Sequence, residues 1–85
     1  MGLTFREHVS VAETEYGVVL LDTRTGNYWQ LNPTAAVAAK VLVDGGDPAG
    51  AAQRLVEEFE VDDDVAAADV TALVDALRAA GVVTG

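Results

Sequence analysis

Residues Gly17–Pro33, GVVLLDTRTGNYWQLNP, decide the fold. Two apolar or aromatic segments, Val18–Leu21 and Tyr28–Leu31, flank the polar loop Thr23–Arg24–Thr25–Gly26. Val, Tyr, Trp and Thr suit a pleated strand, and Gly26 supplies the positive φ that a tight loop needs. Asn32–Pro33 then ends the second segment and starts a helix, because Asn caps well and Pro fits the first helical position. The stretch therefore reads as a β-hairpin running straight into a helix, with its second strand, Asn27–Leu31, left as an edge.

The register of the hairpin stays open at this level. A four-residue loop pairs Asp22 with Asn27 and sets Val18 and Leu20 on the face of Trp29 and Leu31. A three-residue loop with a left-handed bulge at Gly26 pairs Thr23 with Asn27 and brings Val19 and Leu21 there instead. A one-residue slip exchanges the faces of a whole strand. In both cases Trp29 and Leu31 share one face and Tyr28 and Gln30 the other. The unbroken apolar run Val18–Leu21 predicts that both faces of the middle strand are covered.

Upstream, residues 1–8 show no periodicity, and Val9–Glu13 alternates as a half-buried strand does. With Val18–Asp22 and Asn27–Leu31 it makes a three-stranded meander, antiparallel because the loops are short. Downstream, three helices are expected. The first, Pro33–Val43, has Ala36, Val37, Lys40 and Val41 at helical spacing and ends at Gly45–Gly46. The second, Pro48–Glu58, carries the stripe Ala52, Leu55, Val56, Phe59. The third, Val65–Ala80, carries Ala66, Val70, Leu73, Leu77 and Ala80, with Val74 widening the stripe and Gly81 as C-cap. Val82–Val83 is expected to pack back on the sheet. The fold class is α+β: a winged helix-turn-helix-like order of meander and three helices, in one domain over residues 1–85.

Composition narrows the function. Hydrophobic residues make up 51% of the chain, too many for a disordered tail. Fourteen acidic residues face five basic ones, a net charge of −9, which repels nucleic-acid phosphates and anionic membranes. No apolar run approaches the roughly 20 residues of a membrane span. The opening MGLTFREHVS has neither the charged nor the apolar part of a signal peptide, so a cytoplasmic domain is expected. With no Cys, one His (His8) and one Ser (Ser10), nucleophile–base pairs cannot be assembled. Ser10 also falls in a strand, not at the helix start that an acyl carrier's prosthetic arm requires. Asp62–Asp63–Asp64 reads as a helix start, since the twelfth position of an EF-hand loop counted from Asp62 is Leu73. No GxxxxGK[ST] phosphate loop occurs. The expectation is a protein with no catalytic residues, no metal and no cofactor.

Taken together, LLDTRTGNYWQLNPTAAVAAKVLVDGGDPAGAAQRLVEEFEVDDD (20–64) and DVTALVDALRAAGVV (69–83) closely resemble the PqqD-like family. These are leader-recognition domains for ribosomally made, modified peptides, called RiPP recognition elements, and the free-standing form resembles the leader-binding proteins of lasso-peptide gene clusters. The motifs that carry the likeness are LDxRxGxYWxLNPT at Leu21–Thr34 and LRAAGVV at Leu77–Val83. The resemblance implies that a precursor's leader adds as a further strand to Asn27, Tyr28, Trp29, Gln30 and Leu31. The third helix forms the other wall, with Val70, Leu73, Val74 and Leu77 as pocket candidates and Asp69 and Arg78 on polar leader atoms. It implies a YxxP-type leader and a separate leader protease and cyclase as partners. Other readings left standing are a carrier for another precursor, such as that of PQQ, a winged-helix DNA-binding protein with only Arg54 and Arg78 to offer, and a module that dimerises through the same edge.

Overall fold

The computed structural model describes residues 3–85. A meander of β2 (Val9–Thr14), β3 (Gly17–Asp22) and β4 (Tyr28–Leu31) is antiparallel, in the order β2-β3-β4. It is followed by α1 (Pro33–Val43), α2 (Pro48–Phe59) and α3 (Asp63–Ala80). A separate two-stranded sheet joins β1 (Thr4–Phe5) to β5 (Val83–Thr84), with Phe5 opposite Val83. Within the segment that lacked periodicity, of which residues 1–2 lie outside the described residues, Thr4–Arg6 is therefore held by the far end of the chain, and Arg6 N donates to Val82 O across 3.0 Å. Val82 and Val83 are buried in the same hydrophobic core as Leu20 and Leu31 of the meander.

Local chemistry sets each helix start. Asn32 Oδ1 accepts from Ala35 N at 2.8 Å and Asp47 Oδ1 from Gly50 N at 2.7 Å, each followed by Pro at the first helical position. The α3 start relies instead on Asp63 and Asp64, whose charge suits the positive end of the helix, and Gly81 ends it at φ 72°.

α1 lies at the centre, packed on β3, β4 and both other helices. Its buried residues are Ala38, Ala39 and Leu42, while Ala36, Val37 and Val41 are only half-buried and Lys40 is exposed, so the expected stripe is corrected by one step around the helix. Almost every position of PTAAVAAKVLV is apolar, so periodicity alone cannot choose the face. The stripes of α2 and α3 are as read, with Leu55, Val70, Leu73 and Leu77 in the core and Val74 buried beside them. Each fully buried Leu or Val contributes roughly 1.5–3 kcal/mol.

Candidate functional site

The hairpin register follows from the loop. Asp22 N donates to Asn27 O at 2.8 Å, and Gly26, at φ 80°, donates to Asp22 O at 2.8 Å. Asp22 Oδ1 also accepts from Arg24 N at 2.9 Å and Thr25 N at 3.4 Å, an Asx turn that fixes the four-residue loop. Leu20 then faces Trp29 and Val18 faces Leu31 on the core side. Leu21 and Tyr28 pair on the other face, where Leu21 is 39% and Tyr28 70% exposed. The expectation that both faces of the middle strand are covered does not hold, because among the described residues Leu21 and Tyr28 stay exposed on that side.

His8 locks this loop to the start of β2. Its carbonyl accepts from Thr23 N and Thr23 Oγ1, its Nε2 lies 3.2 Å from an Arg24 guanidinium nitrogen, and Asp22 Oδ2 is 3.7 Å away. Burial opposes ionisation of the Asp22 carboxyl. The two loop N–H donors and the charges of His8 and Arg24 outweigh it and hold Asp22 below the ordinary aspartate value. The one serine, Ser10, is exposed on β2, opposite Leu21. Among the described residues no group of three or more His, Asp or Glu is placed to hold a metal, and no helix is long and apolar enough to cross a membrane.

Antiparallel pairs alternate between hydrogen-bonded and open, and the Asp22–Asn27 bond sets the phase. The backbones of Trp29 and Leu31 therefore bond to β3, while the N–H and C=O of Tyr28 and Gln30 point outward. Among the described residues no strand pairs with that outer edge.

Beside the end of β4, a cleft of about 400 Å3 runs between the start of α1 and the face of α3. Asn32, Thr34 and Ala38 line one side, Asp69 and Leu73 the other, and Leu55 belongs to its lining too. Asp69 is exposed, and Leu73 sits at the boundary of core and cleft at 8% exposure. Of the other residues singled out in the sequence, Val70 and Leu77 are core, Trp29 is half-buried against it, and Asn27 and Gln30 are exposed. Val74 and Arg78 stand on the opposite flank of α3, in a small cleft with Pro48, Thr71 and Asp75. There Arg78 donates to Gly85 O at 3.1 Å. The structure thus brings Asp69 and Leu73 together with the end of β4 and sets Val74 and Arg78 apart. Asn32, Thr34 and Ala38 join the cleft without a site signal of their own in the sequence, where Asn32 reads only as a helix cap.

An uncharged strand edge next to an apolar cleft offers an extended chain backbone partners and side-chain room. Against known proteins, the family described as coenzyme PQQ synthesis protein D (PqqD) matches residues 17–83. The chain belongs to the PqqD family. Two solved structures share the PqqD-like fold along its length. A lasso peptide synthetase B1 complexed with the leader peptide is 46% identical, with 100% of both chains covered and a TM-score of 0.90. TbiB1 in complex with the TbiA(beta) leader peptide is 24% identical over 96% of this chain and 95% of that one, with a TM-score of 0.83, and speaks to the fold alone. No curated protein matches the sequence.

Proposed function

We propose that this PqqD-family chain recognises the leader region of a ribosomally made precursor peptide without catalysing a reaction itself. The leader adds as a fourth strand to the outer edge of β4. Tyr28 and Gln30 supply the backbone bonds, Asn27, Trp29 and Leu31 complete the strand, and a leader side chain enters the cleft lined by Asp69 and Leu73. Val70 and Leu77 support that wall from the core, while Val74 and Arg78 flank it. The observation that carries the reading is the β4 edge beside that cleft, unpaired among the described residues, in a chain 46% identical from end to end to a lasso peptide synthetase B1 that is complexed with the leader peptide.

In this reading the leader is of the YxxP type, and the bound precursor is handed in the cytoplasm to a separate leader protease and a cyclase, gaining rate through effective concentration. A strand addition with two anchored side chains gives a Kd between roughly nM and μM. Calorimetric titration with the leader peptide of the 46% identical lasso peptide synthetase B1 complex tests it. Saturable binding is expected, and no binding at about 100 μM sinks the reading. The PqqD description favours one second reading, a carrier for the precursor of PQQ, which the same titration with that precursor decides.

A further inference from the structure

A larger cleft, about 450 Å3, lies on the other side of the β4–α1 junction and shares no lining residue with the first. Leu31 and Pro33 border this one, Asn32 and Thr34 the other. Its floor is apolar: Phe5, Val18, Ala36 and Val37 line it, and all four are half-buried. Its rim is acidic. Glu13 and Glu15 stand at the β2–β3 turn, near Gly17 and the start of α1, and Asp44 stands just past the end of α1. The one basic residue of the lining, Lys40, is paired with Asp44 at 3.6 Å.

We propose that this cleft is a second docking site, for a partner-protein segment with basic residues at both ends and apolar residues between. Charge chooses the occupant. The carboxylates repel phosphates and acidic segments, and the negative end of the α1 dipole adds to Asp44. The cleft follows the 11 residues of α1, roughly 16 Å, so its acidic ends are spaced for about five residues of extended chain. A single amine satisfies one end only. A segment with two separated cations meets Glu13 and Glu15 at one end and takes the place of Lys40 in its exposed pair with Asp44 at the other, while its apolar middle covers Val18 and Val37. This site stands independently of leader binding, because it uses neither the outward backbone of β4 nor the Asp69–Leu73 wall.

The test uses the full chain, 15N-labelled, and a capped five-residue peptide with Arg at each end and Leu, Val, Leu between. One twin carries Glu for Arg, another Ser for the three apolar residues. Saturable shifts are expected at Gly17, Val37, Lys40 and Asp44, with both twins at least about tenfold weaker. Glu13→Lys with Glu15→Lys is expected to weaken the parent peptide at least about fivefold. Glu57→Lys with Asp75→Lys, the same charge change on α2 and α3, is expected to stay within about twofold. The proposal is overturned if the Ser twin binds as well as the parent, if the two double reversals act alike, or if the shifts scatter or fall in the Asp69–Leu73 cleft. Circular dichroism of each variant confirms that the fold is kept.

Discussion

β2 and β4 are the two edges of one sheet, and both leave a row of backbone groups unpaired among the described residues. Val11 and Glu13 point theirs outward on β2, Tyr28 and Gln30 on β4. The strands differ in what surrounds that row. β2 runs into Glu13, Thr14 and Glu15, all exposed, and charge at a strand end blunts pairing with other chains. β4 carries no charge and passes at once into Asn32, which shares a cleft with Asp69 and Leu73 of α3. An open edge with a cleft at its end is therefore common to both strands, but the cleft at β2 is rimmed by Glu13 and Glu15, whereas the one past β4 is walled by α3. The comparison teaches that unpaired amides alone do not select a ligand; a neighbouring cleft that can read side chains does.

The most damaging change strikes both edges at once. Gly17 ends the β2–β3 turn at φ 129°, and a Cβ there would run into the Leu31 carbonyl oxygen at the end of β4. Gly17→Ala is expected to lower the unfolding free energy by about 3 kcal/mol, read as a shift of the urea midpoint. A midpoint close to that of the parent would show that the β3–β4 contact is not tight.

Proline scanning then separates the edges. At Gln30 and at Val11 the backbone N–H faces away from β3, so Pro at either removes an outward donor and no ladder bond. Gln30→Pro is expected to weaken leader binding at least about tenfold, and Val11→Pro to leave it within about twofold. Equal effects would erase the distinction between the two strands. On α3 the matching contrast is smaller. Asp69→Ala is expected to weaken the leader by roughly two- to tenfold, and Arg78→Ala by less than about twofold, since its flank faces Pro48. The reverse order would move the binding wall to the other side of the helix.

The smallest effect concerns the loop that sets the β4 register. Because the Asp22 carboxyl is held below its ordinary value of 3.8, its stabilisation is fully present above that pH and is lost as pH falls through the folded value. Asp22→Asn is therefore expected to be less stable than the parent at neutral pH and to converge with it well below pH 3.8. Urea midpoints across that range check the sign, and a constant gap at all pH values would remove Asp22 from the account.

Much of this was legible in residue order. The hairpin, the two Asn/Asp–Pro helix starts, the Gly81 stop and the stripes of α2 and α3 rest on near-neighbour chemistry, and near neighbours are what a sequence displays. The PqqD likeness was also on view in Leu21–Thr34 and Leu77–Val83. Four features were not. The buried face of α1 fell on Ala38, Ala39 and Leu42 because an all-apolar helix is oriented by the elements around it. The pairing of Thr4–Phe5 with Val83–Thr84 joins the two ends of the chain, and no local pattern announces a partner so distant. The register of β3 on β4 rested on where the Asp22 carboxylate lodged in its own loop. The split of α3 into one flank facing Asn32 and another facing Pro48 required the packing of α1 and α2 around it. Sequence determined the three strands of the meander and the three helices, since those follow from propensity, caps and period. Tertiary structure alone decided which apolar surfaces meet and which stay open, because burial is a property of the assembled core and not of any one segment.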